Sequence, residues 1–318
     1  MIIGCHLSTG AGFSRAVDNA GRLGADAFQY FPKNPRSYRI KAVDRDAWAK
    51  EGRLARERGL VTVGHSAYVT NLSTADPALR ETTIASIVNE LEICEAYGTP
   101  WLVVHCGRHM GEGWEVGRRR MVEAVDEVMR RFQGRCQLLL ENTAGQGSEI
   151  GRTVDELLSI HEALESRQRV GFCLDSCHAF ASGMLQPGAY ERFAAEVRRP
   201  EFAAYLRVVH FNDSKGGAGE QVDRHALLGQ GRMGALLVEM LRDPFFQALP
   251  VIIETPVAQE DDYAAEIEKA RRWAMGEDSH QEGGEAAPLA ATGQGRKTEQ
   301  TGAKPSRAKK PGRKPAGG

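Results

Sequence analysis

Six short apolar runs of this sequence end on, or one residue before, a side chain that can bind a metal ion. Imidazole together with carboxylate is a ligand set that suits zinc, with iron and manganese as alternatives, whereas magnesium and calcium favour oxygen alone. The pattern therefore predicts a transition-metal site built from the ends of several chain segments. The six residues are His65, His105, Glu141, Asp175, His210 and Glu254.

Three further candidate ligands follow in the loops. Asp175-x-x-His178 places His178 one turn after the sixth run. Asp223-Arg224-His225 points Asp223 and His225 to the same side if that segment is extended, because side chains alternate along an extended chain. Nine ligands are too many for one ion and suit three ions that share a carboxylate and keep open positions. Three divalent ions would leave such a pocket slightly positive, which suits a phosphodiester anion.

Each of these residues taken singly has an ordinary structural explanation, as a satisfied polar residue or a salt-bridge partner. Taken together they do not, because several uncompensated carboxylates and imidazoles on one concave face are electrostatically costly unless cations neutralise them. Among the remaining histidines, His6 and His109 are candidates for groups that orient a ligand, with an ordinary structural role equally open. His161 is expected on the surface of a helix, and His280 lies near the C-terminus.

The apolar runs alternate with amphipathic helical patterns eight times along the chain. Strands that are apolar throughout are typical of a parallel sheet covered on both faces. The sequence therefore predicts an α/β fold, a (β/α)8 TIM barrel, in which all the strand ends meet at one face. An open doubly wound sheet is the alternative, but no glycine-rich dinucleotide or P-loop fingerprint follows the first strand. The predicted strands are 2–6, 27–31, 60–65, 101–105, 136–141, 170–175, 206–211 and 249–254, and helical patterns include 80–97, 116–131, 153–166 and 261–274.

Charge and composition divide the chain into two parts. The last 23 residues, from Arg296, carry eight basic side chains and one acidic one, a net charge of +7 against −8 for the rest. From residue 276 onward Leu289 is the one large aliphatic residue and no aromatic residue occurs, so burial cannot offset the entropy of ordering. We therefore predict a barrel domain over 1–275 and a disordered basic tail over 276–318. The tail is either a solubilising appendage or a source of nonspecific, salt-sensitive DNA affinity.

No apolar run approaches the length of a membrane span, and the first residues lack the pattern of a signal peptide. The sequence therefore predicts a cytoplasmic protein with no membrane partner, and a monomer is favoured. Six cysteines are too sparse for a disulfide scaffold in a chain of this length, so they are expected to be reduced and buried.

The ordered set of motifs around the nine candidate ligands resembles the endonuclease IV family, the zinc-dependent apurinic/apyrimidinic endonucleases. Each motif is short, but chance agreement at so many positions in the same order is negligible. Two departures are Cys106, where the family commonly has proline, and Gln221, in a segment where it often has Gly-Ser-Arg. The matching segments are 65–72, 105–109, 140–147, 171–178, 210–215, 223–225, 229–231 and 253–256.

This resemblance implies three zinc ions per chain, which manganese or iron could replace. It makes Glu141 a ligand shared by two ions, and it makes Glu141 and Glu254 the expected catalytic residues. The implied reaction is hydrolysis of the phosphodiester on the 5′ side of an abasic site, leaving a 3′-hydroxyl and a 5′-deoxyribose phosphate, with trimming of blocked 3′ ends. The implied ligand groups are His65, His105 and Glu141; Glu141, Asp175, His210 and Glu254; and His178, Asp223 and His225.

The resemblance also implies contacts with double-stranded DNA. Arg36, in the loop after the second predicted strand, resembles an arginine that enters the groove near the lesion. Tyr68 resembles an aromatic residue that fills or props the distorted stack, although a packed loop tyrosine would fit the same pattern. Asn212 and Lys215 could orient His210 or approach phosphate, and the sequence does not choose between these roles. A DNA substrate further predicts a nucleoid-associated location.

Two other functions fit part of the pattern. A one-metal sugar isomerase or epimerase of the same barrel superfamily needs only the four ligands of the second group. The other five ligands argue against it, because a one-metal isomerase has no use for them. A noncatalytic lesion-binding protein is the second alternative, and the intact ligand set argues against that as well.

Overall fold

Eight parallel strands form a closed barrel in the computed structural model, which describes residues 1–277 of the chain. Each barrel strand pairs with the next one along the chain, and the last pairs with the first. The predicted barrel is therefore confirmed, and the open-sheet alternative is wrong. The barrel strands are β1 (Ile3–His6), β2 (Ala27–Tyr30), β3 (Val61–His65), β4 (Trp101–His105), β5 (Gln137–Glu141), β6 (Val170–Asp175), β7 (Leu206–His210) and β10 (Val251–Ile253), and a separate antiparallel pair is β8 (Asp213–Ser214) with β9 (His225–Ala226).

Helices surround the barrel and connect its strands. The four helical patterns predicted from the sequence correspond to the third, fourth, fifth and last of these helices, with ends that coincide or are shifted by up to four residues. Asp76 caps the longest helix by accepting from two backbone amides of its first turn, and Pro77 occupies its first position. The helices are α1 (Phe13–Arg22), α2 (Arg45–Glu57), α3 (Pro77–Tyr97), α4 (Trp114–Arg131), α5 (Val154–Glu162), α6 (Ser176–Ala181), α7 (Tyr190–Val197), α8 (Pro200–Ala203), α9 (Ala235–Arg242), α10 (Pro244–Gln247) and α11 (Tyr263–Met275).

A layer of buried apolar side chains fills the inside of the barrel and fixes which strand residues point inward. Seven strands supply a side chain, and the eighth contributes Gly4, where a Cβ atom would lie 2.0 Å from the Ala27 carbonyl oxygen. Because side chains two residues apart share a face of a strand, the residues two positions further along also point inward, toward the mouth of the barrel. The seven side chains are Ala27, Val63, Val103, Leu139, Cys173, Val208 and Ile252.

His161 is buried, although the sequence pattern predicts it on the surface of a helix. It lies on the inner side of α5, where its ring packs 4.3 Å from the ring of Tyr205 and 5.0 Å from that of Phe172. Its Nε2 lies 3.0 Å from the carbonyl oxygens of both Arg167 and Val170, the short segment that leads into β6. The expectation failed because these carbonyl partners come from a turn that the helix pattern alone does not reveal.

All six cysteines are buried and unpaired, as predicted. None of the helices within residues 1–277 is both long and apolar enough to span a membrane. The last helix ends at Met275, and Gly276 closes it in a left-handed conformation that glycine adopts readily. The structure describes the chain only to residue 277, so His280 and almost all of the predicted disordered tail lie outside the described residues. The tail and the domain boundary therefore stay predictions.

Candidate metal centre

The mouth of the barrel carries one inward-pointing side chain from each of its eight strands. Each of these side chains lies two residues beyond the apolar layer, on the same face of its strand. Six of the eight are the strand-end ligands predicted from the sequence, and the other two are histidine and glutamine. The eight residues are His6, Gln29, His65, His105, Glu141, Asp175, His210 and Glu254.

The loops bring the three remaining candidate ligands to the same place. A cavity of about 410 Å³ opens at the mouth and is lined by most of the nine, with Tyr68 and Tyr263 at its edge. Asp175 and His210 lie fully buried below it. The structure thus brings all nine predicted ligands together, although their role as ligands stays a prediction.

Glu141 lies between two groups of histidines. Its Oε2 lies 3.3 Å from His65 Nε2 and 3.2 Å from His105 Nε2. Its Oε1 faces the other way and lies 3.0 Å from His210 Nδ1. Each oxygen therefore faces a different set of ligand atoms, which is the arrangement that a carboxylate shared by two ions requires.

Two of the predicted groups contain ligand atoms that all lie within 4.8 Å of one another. One is Glu141 with Asp175, His210 and Glu254, and the other is His178 with Asp223 and His225. Within the second of these groups, Asp223 Oδ1 lies 3.4 Å from His178 Nε2 and 3.6 Å from His225 Nε2. The donor atoms of the group thus point toward a shared centre. For the remaining group, His65 and His105 converge on the same oxygen of Glu141.

Hydrogen bonds on the outer side of the rings decide which nitrogen faces the site. Nδ1 of His65, His178 and His225 lies 2.8, 2.9 and 3.3 Å from the backbone carbonyls of Ser66, Asn142 and Glu254, respectively. A carbonyl oxygen only accepts, so each Nδ1 donates, and in the neutral ring each Nε2 keeps an inward-directed lone pair that can bind a cation. Second contacts of this kind commonly orient metal-binding histidines.

Two buried atoms of the site lack a hydrogen-bond partner within the described residues. They are Glu141 Oε2 and His225 Nε2, and both point into the group of candidate ligands. Leaving a buried polar atom unsatisfied costs about 1–3 kcal/mol. A cation in each of the two groups would satisfy its unpartnered atom, so the residues present fit metal ions of the zinc class.

The charges of the cluster favour positive charge at its centre. Burial by itself raises the pKa of the Glu254 carboxyl, but His210 and His65 outweigh it and lower that pKa to about 2. Burial by itself lowers the pKa of His178, but neighbouring carboxylates, Asp175 foremost, hold it well above its usual value. The Glu254 carboxyl thus stays ionised and draws cations to the mouth of the barrel.

Two asparagines fix the buried carboxylate of β6 and its neighbours. Asn212 donates from Nδ2 to Asp175 Oδ2 at 2.7 Å and accepts from the backbone amide of Glu254 at 2.8 Å. Asn142 accepts from the backbone amide of Asp175 at 2.7 Å. Asn212 therefore orients the carboxylates of Asp175 and Glu254, candidate ligands, rather than His210, which the sequence had offered as its partner. Lys215 is exposed, and its backbone amide binds the Arg224 carbonyl.

The two residues predicted to contact DNA lie on loops beside the cavity. Tyr68 is 66% exposed and lines the metal cavity, while Arg36 is exposed at a larger neighbouring groove of about 980 Å³. The backbone amide of Tyr68 donates to the Pro35 carbonyl at 2.9 Å, so the two loops are joined. Both residues are exposed near the cavity, and their contact with DNA stays a prediction.

The structure separates the two histidines that the sequence offered as orienting groups. His6 lies in the mouth layer, with its Nδ1 3.1 Å from Gln29 Nε2 and 3.9 Å from Glu254 Oε1. His109 instead accepts from the backbone amides of its own loop through Nδ1. Gln29 was not predicted from the sequence, since glutamine is not a metal-ligand type. Its position two residues after Ala27, in register with the predicted ligands, was the available signal.

The fold and the mouth residues together define a xylose-isomerase-like TIM barrel with side chains able to bind metal. A family model described as "Xylose isomerase-like TIM barrel" matches residues 17–274. A protein from Symbiobacterium thermophilum named "Probable endonuclease 4" is 48% identical over 272 residues, which are 85% of this chain and 99% of that protein. The crystal structure of endonuclease IV from Thermus thermophilus superposes with a TM-score of 0.76 at 32% identity, covering 87% of this chain and 100% of that one.

This chain belongs to the endonuclease IV family. A second relative, from Methanoculleus marisnigri and also named "Probable endonuclease 4", is 36% identical over 86% of this chain and 99% of its own length. Membership of a nuclease family favours a hydrolase over the sugar isomerase alternative.

Proposed function

We propose that this protein hydrolyses the phosphodiester bond on the 5′ side of abasic sites in double-stranded DNA, with three zinc ions held by the nine mouth ligands. The products would be a 3′-hydroxyl and a 5′-deoxyribose phosphate, as base excision repair requires. Trimming of blocked 3′ ends would use the same attack at phosphorus. The observation that carries the proposal is Glu141, whose two oxygens face separate ligand groups, with a third group beside them.

The ligand groups divide the chemistry among this chain's own residues. Bound zinc supplies Lewis acidity, lowering the pKa of coordinated water toward ~7 and offsetting phosphate charge. Glu141 and Glu254 hold the first two groups in fixed relation, and Asn212 keeps Glu254 and Asp175 in place. His178, Asp223 and His225 form the remaining group at the edge of the cavity, where a phosphate oxygen could approach. No separate protein base is then required.

The surroundings of the cavity suit a nucleotide taken out of the helix. An abasic nucleotide neither pairs nor stacks, so extruding it costs less than extruding an intact one. The exposed ring of Tyr68 stands beside the cavity, where it would contact the bases next to the gap. Arg36, on the joined loop, adds a positive charge for the backbone. These positions support recognition of a distorted duplex.

A duplex with one stable abasic-site analogue tests this function directly. We expect the zinc-loaded protein to cut the damaged strand once, immediately 5′ of the analogue, and to leave the matched undamaged duplex intact. Gel mobility of the end-labelled strand reports the cut position, and ligation of the product reports its 3′-hydroxyl. Metal-loaded protein that leaves the duplex uncut would contradict the proposal, and epimerisation of a ketose by the same sample would favour the isomerase.

The basic tail is proposed to add nonspecific DNA affinity. Replacing its eight basic residues from Arg296 onward with glutamine keeps the chain length and removes the positive charge. We expect weaker binding to undamaged duplex and a plot of log affinity against log salt that is shallower by up to ~7, if all eight basic side chains meet phosphates. Cleavage of the abasic duplex at low salt serves as the control. An unchanged salt slope would leave the tail as a solubilising appendage.

A further inference from the structure

Gln29 lies at the centre of the mouth layer and contacts three other members of it. It is fully buried at the end of β2. Its Nε2 donates to Glu254 Oε1 at 2.6 Å and lies 3.1 Å from His6 Nδ1, while its Oε1 lies 2.8 Å from His210 Nε2. One amide side chain therefore joins a residue of β1, a residue of β7 and the residue that follows β10.

These contacts allow only one arrangement of hydrogens. An ionised carboxylate only accepts, so the Gln29 atom that lies 2.6 Å from Glu254 Oε1 is the amide nitrogen. The Gln29 atom that faces His210 is then the carbonyl oxygen, which also only accepts. His210 Nε2 must therefore carry a hydrogen and donate it. The second amide hydrogen of Gln29 points to His6 Nδ1, which accepts it.

This hydrogen bond sets the nitrogen that His210 presents to the site. With Nε2 occupied by a hydrogen, Nδ1 is the nitrogen left to bind a metal ion. It lies 3.0 Å from Glu141 Oε1 and 3.2 Å from Glu254 Oε2, two members of its own ligand group. The inward nitrogen is thus the opposite one from that of His65, His178 and His225, which present Nε2.

The outer partner of His210 also differs in kind from those of the other three histidines. His65, His178 and His225 donate to backbone carbonyls, which any substitution leaves in place. His210 donates to a side chain, so its orientation depends on the identity of residue 29. Gln29 also holds Oε1 of Glu254, which leaves Oε2 of that carboxylate facing Nδ1 of His210.

We propose that Gln29 is a positioning residue that makes His210 bind metal through Nδ1 and aims the Glu254 carboxylate at the same ion. The proposal rests on the proposed function only in assuming a metal ion in the group of Glu141, Asp175, His210 and Glu254. Gln29 touches neither substrate nor metal and acts through these two ligands. Its loss should therefore affect the ion of this group more than the ions of the other two.

Nitrogen NMR of the histidine rings in the zinc-loaded wild-type protein is the first test. The two ring nitrogens of His210 give different shifts and different couplings when one binds metal and the other carries a hydrogen. We expect Nε2 to carry the hydrogen and Nδ1 to bind zinc, with the reverse pattern for His65, His178 and His225. Zinc on Nε2 of His210 would overturn the proposal without any substitution.

Substitution of Gln29 is the second test. Gln29→Met keeps the length of the side chain and removes both the acceptor and the donor. We expect one of the bound zinc ions to be lost to a competing chelator ~10–100-fold more readily, and kcat on abasic duplex to fall by a similar factor with KM within about threefold. Gln29→Glu keeps an acceptor for His210 and should keep its NMR pattern, although it repels Glu254.

The matched control is Gln137→Met, the same change at the other end of the barrel, where β5 begins and the glutamine contacts the Gln168 carbonyl. It should retain wild-type zinc retention and kcat. Gln29→Met protein that is folded by circular dichroism, holds every ion as tightly as wild type and keeps its kcat would overturn the proposal. So would a raised KM with unchanged kcat, which would mark a substrate contact. Wild-type protein that binds zinc but does not cut abasic duplex would refute the function alone.

Discussion

Replacing Glu141 with glutamine is expected to abolish cleavage of abasic duplex while the barrel stays folded. The two oxygens of Glu141 face His65 and His105 on one side and His210 on the other. Glutamine replaces one carboxylate oxygen with an NH2 group, which cannot bind a cation, and it removes the negative charge shared by both ligand groups. The expected fall in kcat is more than ~10³-fold, beyond the ~10–100-fold typical of residues that merely orient ligands.

The same variant should also lose metal. Elemental analysis is expected to give about one zinc ion per chain, held by His178, Asp223 and His225, in place of about three. Single-turnover cleavage and circular dichroism complete the measurement. Glu201→Gln is the matched control, since Glu201 is exposed on α8 near the start of β7 and pairs with Arg199. Full activity in folded Glu141→Gln would show that the shared-carboxylate assignment is wrong.

Removal of metal is expected to have the second large effect. Nine candidate ligand side chains, four of them carboxylates, crowd the mouth, and two of their buried atoms lack partners within the described residues. Stripping the protein with a chelator should abolish cleavage and lower the melting temperature, and three equivalents of zinc should restore both. Each ion present at 1,000 times its dissociation constant adds about 4 kcal/mol to the free energy of unfolding.

Stoichiometry distinguishes this model from its main alternative. We expect about three zinc-class ions per chain in the wild type and about two in His178→Ala, whose Nε2 faces Asp223. His109→Gln serves as the control and should keep three, because His109 Nδ1 accepts from its own loop. A reproducible value near one ion in the wild type would refute the trinuclear model and favour a one-metal isomerase.

Much of the barrel could be predicted from the sequence because its strands are short, apolar and regularly spaced. The predicted ends were accurate to within two residues: β7 ends at His210 rather than Phe211, and β10 ends at Ile253, just before Glu254. The inward-pointing residues could also be predicted, because side chains alternate along a strand and one inward residue therefore fixes which way its neighbours point. Closure of the barrel followed from eight repeats, which leave no strand edge unpaired.

The errors and omissions share one cause. His161 was expected at the surface, but its ring bonds to carbonyls of a turn that follows its helix. Gln29 was overlooked because its partners are 181 and 225 positions away along the chain. Asn212 was left between two roles until its contacts with Asp175 and Glu254 were known. In each case the partner is distant along the chain or lies in a turn, and the residue type alone does not identify that partner.

The sequence by itself determined which side chains stand at the strand ends, and therefore that imidazoles and carboxylates meet at one face of a barrel. Tertiary structure alone decided which atoms of those side chains face one another. The sequence does not distinguish the two oxygens of Glu141, and it does not show which of the two ring nitrogens of His210 faces the site. Hydrogen bonds are directional and short, so Gln29 and the neighbouring carbonyls assign these atoms only once the folded barrel holds them within about 3 Å.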